Sequence, residues 1–144
     1  MPKDLGSFIA ELESKYPEEV ARVTKSIAPR YEITALLTQL EKSKRFPLLF
    51  CENVEGSDAP VVINAQASRR LMALALECKP EELASKFSER HGKPIAPVEV
   101  SGAPVHEVVK TGDDVDLAKI PLLTHYDVNA APYITAGIVV APVP

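Results

Sequence analysis

Residues 46–64, FPLLFCENVEGSDAPVVIN, contain two short apolar runs separated by Gly56, Ser57 and Asp58. Short apolar runs bounded by turn residues are typical of buried strands. Towards the N-terminus, residues 19–23, EVARV, form a short alternating run that suits another strand. These three runs predict a sheet, and a sheet with apolar faces needs helices to cover it.

Four segments have the apolar spacing and the end signals of helices. The first follows Asp4, and its stripe has the i, i+3, i+4, i+7 spacing: Leu5, Phe8, Ile9 and Leu12. The others are expected at about residues 32–42, 68–77 and 80–91, the last with Leu83 and Phe87 on its apolar side. We therefore expect the α/β class, with a central mixed sheet flanked by about four helices.

Proline concentrates in the second half of the chain, where seven of the 13 prolines fall between Pro94 and Pro144, so helices there must be short. Residues 105–109 predict a strand, and residues 113–132 predict a connector that begins with a single capped turn through Lys119. Residues 133–140, YITAGIVV, predict a strand whose pairing partners do not occur in the preceding sequence. The predicted organisation is an N-terminal α/β domain at residues 1–112, a connector at 113–132 and a first strand of another domain at 133–144.

Composition and charge argue against several classes of partner. Apolar residues make up 46% of the chain and charged residues 25%, which is ordinary for a globular domain. A net charge of -4 provides no basic surface for nucleic acid or anionic lipid. No apolar stretch approaches the ~20 residues of a membrane span, and Asp4, Glu11 and Glu13 stand where a signal peptide is apolar. We expect a cytoplasmic protein.

Cys51 and Cys78 are the two cysteines, and they form neither a disulfide framework nor a metal half-site. We expect both to be reduced and structural, because free cysteine usually behaves as a small buried hydrophobe. The three histidines do not have the spacing of a metal site either.

The most tempting pair for acid/base chemistry is His106 and Glu107. Neighbours in a strand point to opposite faces, so this pair does not form a shared site unaided. His91 precedes the helix-ending Gly92, where a cation suits the helix dipole.

His125, followed by Tyr126 and Asp127, lies in the connector and is the best candidate for an interface or a pocket rim. The chain has no nucleophile elbow and no glycine-rich phosphate loop. No catalytic, cofactor-binding or metal-binding residue is therefore assigned, and the role of His106, Glu107 and His125 stays open.

Several motifs follow one another in a fixed order: DLGSF at residues 4–8, EITALL at 32–37, PLLFCENV at 47–54, the strand at 61–64 and a helix start at Ser68 and Arg69. In this order they resemble the UbiD family of reversible aromatic and acrylic acid decarboxylases. Residues 131–140, APYITAGIVV, are similar to the family's most diagnostic stretch, the strand that opens its split-barrel domain. Ala131 replaces the family's usual glycine, and residues 141–143 also depart from the common pattern.

The resemblance implies an enzyme that uses prenylated FMN, with manganese and potassium holding the flavin phosphate when the enzyme is full length. The substrate would be an aromatic or α,β-unsaturated carboxylic acid. Substrate would attach to the flavin, lose carbon dioxide and be reprotonated by a carboxylic acid. The family's catalytic, flavin-binding and metal-binding residues lie beyond the point that corresponds to Pro144, so the chain is expected to lack catalytic activity and bound cofactor by itself.

The implied partners are the remainder of the decarboxylase, in the same chain or a companion subunit, a flavin prenyltransferase that supplies the cofactor, and further copies of the full-length enzyme. An alternative is a separately encoded subunit or interaction module whose residues 132–144 complete a partner's sheet. A hydrolase is a third alternative, which requires His106, Glu107 and either Cys51 or Ser101 to converge.

Overall fold

The computed structural model describes residues 4–132 together with residues 134 and 137. Its centre is a sheet of three strands, β1 (Val20–Val23), β2 (Leu48–Cys51) and β3 (Val61–Ile63), in the order β1-β2-β3. β1 pairs with β2 in parallel and β3 pairs with β2 antiparallel. The α/β class and the mixed sheet predicted from the sequence are confirmed.

The four predicted helices are also present: α1 (Leu5–Lys15), α2 (Glu32–Lys42), α3 (Arg69–Ala75) and α4 (Leu83–His91). Asp4 caps α1 by accepting a 2.7 Å hydrogen bond from the backbone N–H of Ser7. This backbone bond, together with the Ser7 hydroxyl, holds the pKa of Asp4 below its ordinary value. Within the described part of the chain, no helix combines the length and apolarity needed to cross a membrane.

Alternate residues of β2 enter two separate core clusters, one on each face of the sheet. Leu48 packs in the first cluster with residues of α1 and α3: Phe8, Ile9, Leu12 and Leu71. Leu49 and Cys51 pack in the second cluster with Ile33 of α2 and with Ile27 and Val54, which follow β1 and β2. The domain thus has three layers, with α1 and α3 on one face of the sheet and α2 on the other.

The crossover from β1 to β2 explains the position of α2. Parallel strands cannot be joined by a tight turn, so the chain passes through a helix that covers one face. The parallel pairing of Val20 with Leu48 continues beyond the strands as an isolated bridge between Ile27 and Val54. As a result, the loops at the ends of β1 and β2 lie side by side next to the start of α2.

One local prediction is wrong. Residues 105–109 do not form a strand: Pro104–His106 is a single 3-10 turn, and Val105, Val108 and Val109 are exposed. Pro104 cannot donate a ladder hydrogen bond, and no described strand lies beside this segment to pair with it. The predicted strand at residues 133–140 falls almost entirely outside the described residues.

The predicted apolar side of α4 is only partly covered. Leu83 is half-buried, but Phe87 is 60% exposed and stacks on His91, with 6.0 Å between ring centroids. The helix packs on α3 both directly and through the preceding turn Pro80–Glu82. Phe87, in the middle of α4, is left facing outward.

Replacing Ser68 by alanine is expected to lower the free energy of unfolding by about 1 kcal/mol. The Ser68 hydroxyl accepts a 3.0 Å hydrogen bond from the backbone N–H of Leu71 and caps α3. Leu71 is fully buried in the first core cluster, so fraying of this helix start disturbs the core. Urea denaturation would measure the loss, with Ser88→Ala, an exposed serine inside α4, as the matched control. Equal stability of the Ser68→Ala chain and the wild type would contradict the assigned cap.

Candidate functional site

The connector docks on the N-terminus of α2. Thr124 forms a parallel bridge with Arg30, in which the N–H of Tyr31 donates to the carbonyl oxygen of Thr124 at 2.9 Å. The N–H of Thr124 donates in turn to the carbonyl oxygen of Pro29 at 3.2 Å. Leu123 packs against the second core cluster. Residues 121–125 are therefore half-buried and belong to the packed domain.

His125 contacts α2 directly. Its Nδ1 lies 2.8 Å from the hydroxyl oxygen of Thr34, and the contact is partly buried. A neutral ring accepts from the hydroxyl or donates to it according to the tautomer, and a protonated ring donates. The ring of Tyr126 is tilted against the ring of His125, with 6.5 Å between centroids. The sequence prediction that His125 lies at an interface or a pocket rim agrees with this placement.

His125 stands between two cavities, which we together call the His125 cleft. One has a volume of about 290 Å³ and is walled by α2 through Thr34, Thr38 and Glu41. The other, of about 470 Å³, runs along β3 and the loop that follows it, residues 62–67, and is bounded by Leu123. Asn64 and Ala67 line both cavities, as His125 does.

The chemistry of the His125 cleft is that of hydrogen bonding rather than bond breaking. The smaller cavity offers two threonine hydroxyls, the Asn64 amide, the imidazole, and the opposite charges of Glu41 and Arg45. These groups can hold and orient a polar segment. In the described part of the chain, no group of three or more His, Cys, Asp or Glu side chains is placed to hold a metal ion.

The other residues singled out in the sequence do not assemble. His106 and Glu107 are both exposed, in the 3-10 turn Pro104–His106 and just after it. Cys51 is fully buried in the second core cluster, whereas Ser101 is exposed. A buried thiol does not share a substrate site with these exposed groups, and among the described residues no hydrogen bond joins Ser101 to His106 or Glu107, so the hydrolase alternative has no support. His91, at the end of α4, is exposed beside Gly92 as expected.

Sequence reasoning missed Thr34, the partner of His125. The two residues are separated by 91 positions, and neither lies in a motif that refers to the other. The i+3 and i+4 spacing in α2 identifies only its apolar side chains. Thr34 is polar and lies beside two of them, Ile33 and Leu37.

A long exposed segment follows α4 and includes the first part of the connector. From residue 93 to residue 120 all residues except Ala103 are exposed. Ile95 is 94% exposed and Val98 is 83% exposed. We call its exposed apolar side chains the 95–120 surface: Ile95, Val98, Val100, Val105, Val108, Val109, Val115, Leu117 and Ile120. Among the described residues, two side-chain contacts link it to the packed domain: the Ser57 hydroxyl donates to the carbonyl oxygen of Lys119 at 3.1 Å, and the Lys93 ammonium lies 3.5 Å from a carboxylate oxygen of Glu89 in α4.

Two family models match the chain. Residues 10–91 match the 3-octaprenyl-4-hydroxybenzoate carboxy-lyase N-terminal domain, and residues 97–144 match the Rift-related domain of the same carboxy-lyase. The anhydromevalonate phosphate decarboxylase of Methanosarcina mazei is 36% identical over 135 residues, which are 93% of this chain and 29% of that enzyme.

Solved structures agree with these matches. The UbiD-class enzyme HmfF from Pelotomaculum thermopropionicum, in an evolved dimeric form in complex with prFMN, superimposes with a TM-score of 0.80 at 32% identity. The alignment covers 94% of this chain and 31% of HmfF. The apo 3,4-dihydroxybenzoic acid decarboxylase from Enterobacter cloacae has a TM-score of 0.78 at 28% identity, over 91% of this chain and 29% of that enzyme. The chain spans less than a third of the length of these relatives, and it belongs to the UbiD family of decarboxylases, whose N-terminal region it matches.

Proposed function

We propose that this chain acts as the N-terminal domain of a reversible, non-oxidative decarboxylase that uses prenylated FMN and is inactive on its own. The substrate class we propose is an aromatic or α,β-unsaturated carboxylic acid. Support for the cofactor comes from HmfF, whose structure contains prFMN, and support for the aromatic class comes from the 3,4-dihydroxybenzoic acid decarboxylase.

The 95–120 surface is the observation that carries this proposal. Exposed apolar side chains concentrated in one segment gain free energy by packing on a partner, and burying one valine or isoleucine side chain stabilises a packed state by about 1.5–3 kcal/mol. Most of the surface falls within the residues that match the Rift-related domain. We therefore propose that it packs on the remainder of the enzyme, with residues 1–112 as the α/β domain, 113–132 as the connector and 133–144 as the first strand of the next domain.

The His125 cleft does not fit the flavin by itself. No glycine lines either of its cavities, so neither offers the open backbone that approaches a phosphate group closely. Among the described residues no cluster fits manganese either. We assign no catalytic, flavin-binding or metal-binding residue to the described part of the chain, and we derive no chemical step from it. In this proposal, prenylated FMN, manganese and potassium are held by the rest of the enzyme.

The remaining partners follow from the same proposal. A flavin prenyltransferase supplies the cofactor, and the full-length enzyme is a homo-oligomer in the cytoplasm. If the rest of the enzyme is a companion subunit and not a continuation of this chain, it would pack on the same 95–120 surface. The dimeric form of HmfF supports the oligomer. Co-purification from the source cell would distinguish one long polypeptide from a stoichiometric pair.

A chimera tests the proposal: this chain replaces the aligned 31% of HmfF, and carbon dioxide release from aromatic and acrylic acids is measured with bound prFMN and manganese. We expect the chimera to be active and the purified chain alone to be inactive. Replacing Val98 and Val108 by aspartate should reduce the activity of the chimera at least about tenfold, because a buried interface would then contain unpaired charges.

Leu5→Asp is the matched control, since Leu5 is an exposed apolar residue outside the 95–120 surface and an acidic residue suits the first turn of α1. The thermal midpoint of the isolated chain should be unaffected by the aspartates at 98 and 108. Full activity of the doubly substituted chimera, or turnover by the chain alone, would refute the proposed role.

A further inference from the structure

The start of α2 depends on the connector. The residue before its first turn, Tyr31, has φ of +71° and ψ of -36°, a conformation that residues with a side chain rarely adopt, and no side chain caps the helix there. The N–H of Tyr31 is satisfied instead by the carbonyl oxygen of Thr124 at 2.9 Å. The connector thus supplies a hydrogen bond that the helix start lacks.

Three successive connector residues hold this junction in different ways. Leu123 enters the second core cluster, Thr124 pairs through its backbone, and His125 bonds to Thr34. In an extended chain, residues 123 and 125 point to the same side, which explains why both face the domain. Beyond them the chain turns outward, since Tyr126 is 60% exposed and Val128 is 85% exposed.

We propose that His125 is a positioning residue whose hydrogen bond with Thr34 sets the direction in which the chain leaves the α/β domain. Within the described residues, no position after His125 forms a hydrogen bond to α2. The proposal rests on the proposed function in one respect: the residues that follow belong to the stretch matching the Rift-related domain. A displacement of about 1 Å at reacting groups can reduce turnover about a hundredfold, so a small rotation at this junction matters.

The chemistry of the contact defines the test variants. An asparagine at position 125 can place a hydrogen-bonding atom near the position of the imidazole Nδ1, whereas alanine cannot. On the other side, Thr34→Ser retains the hydroxyl and Thr34→Val keeps the shape without it. His106→Ala is the matched control, because His106 is an exposed histidine in a turn and contacts no part of the His125 cleft.

Amide hydrogen exchange in the 144-residue chain tests the local part of the proposal. His125→Ala and Thr34→Val should each accelerate exchange at Tyr31 and Thr124 by about fivefold, the effect of losing one neutral hydrogen bond. The double variant should exchange no faster than either single variant, because both remove the same hydrogen bond. His125→Asn should recover most of the protection. Exchange of the amides that pair β2 with β3 should be unchanged. Unchanged exchange at Tyr31 and Thr124 would overturn the proposal, and so would equal acceleration in the ladder, which indicates a general loss of stability.

Turnover in the HmfF chimera tests whether loss of the His125–Thr34 hydrogen bond reduces catalysis. His125→Ala should reduce kcat at least about tenfold with the prFMN content and KM unchanged, and His125→Asn should restore most of kcat. A kcat equal to that of the parent chimera would overturn it. If the parent chimera itself is inactive, the proposed function fails, while the exchange measurements still decide the local contact because they require no activity.

Discussion

Replacing Leu12 by alanine is expected to lower the free energy of unfolding by about 2–5 kcal/mol. Leu12 of α1 is fully buried against β2 and α3, in the first core cluster. Alanine would remove three carbons from a packed site and leave a cavity that the fixed sheet cannot close. Domains of this size are stable by only about 5–15 kcal/mol, so the substitution removes a large share of the total.

Leu5 provides the comparison within the same helix. It is 52% exposed, so Leu5→Ala deletes the same atoms without opening a cavity. We expect its cost to stay within about 0.5 kcal/mol, as for most surface substitutions. Urea denaturation followed by circular dichroism would measure both variants. Similar losses for Leu5 and Leu12 would show that α1 does not pack on the sheet through Leu12.

Cys51 is expected to react with iodoacetamide more slowly than Cys78 by a factor on the order of a hundred or more. Cys51 is fully buried in β2, whereas Cys78 is only partly buried and lines an open cavity of about 450 Å³ beside α1. The thiolate is the reacting species, and burial raises the pKa of the Cys51 thiol above its ordinary value. Mass spectrometry of the partly alkylated chain would give both rates. Comparable rates would show that the second core cluster opens easily.

The raised pKa of Cys51 also makes stability depend on alkaline pH. The folded state binds the thiol proton more tightly than the unfolded state does, so this contribution is complete below the unfolded pKa and is lost as the pH rises through the folded one. Stability should therefore fall above about pH 8.5. Cys51→Val, which keeps an apolar side chain in the core, should make the dependence weaker. An equal decline in both proteins would assign it to other groups.

The packed half of the fold was predictable because its signals are local. The i+3 and i+4 spacing of Leu5, Phe8 and Leu12 defines a helix face, and turn residues on both sides of residues 48–51 and 61–63 define strands. The strand predicted at residues 105–109 is absent because an apolar run becomes a strand only when another strand is available to pair with it. The exposure of Phe87 could not be predicted, because periodicity shows that a helix has an apolar side but not whether a neighbour covers it.

The candidate site was predictable only in part. Polar density in the connector pointed to His125 as an interface or rim residue, and the structure places it between two cavities. Its partner Thr34 and the Tyr31 conformation could not be predicted, since they depend on a contact between segments far apart in sequence. Long-range contacts of this kind leave no periodic trace in either segment.

The parallel pairing of β1 with β2 has a consequence for the order of events on the ribosome. Synthesis proceeds from the N-terminus at about 5–20 residues per second, so β1 emerges first and waits unpaired until α2 and then β2 have followed. β3 follows soon after β2 and completes the sheet. α3 then packs beside α1 on the first core cluster. Residues 123–125 emerge after all of these elements and pack on the second core cluster and on α2. The α/β domain is then already folded when the residues after them are translated.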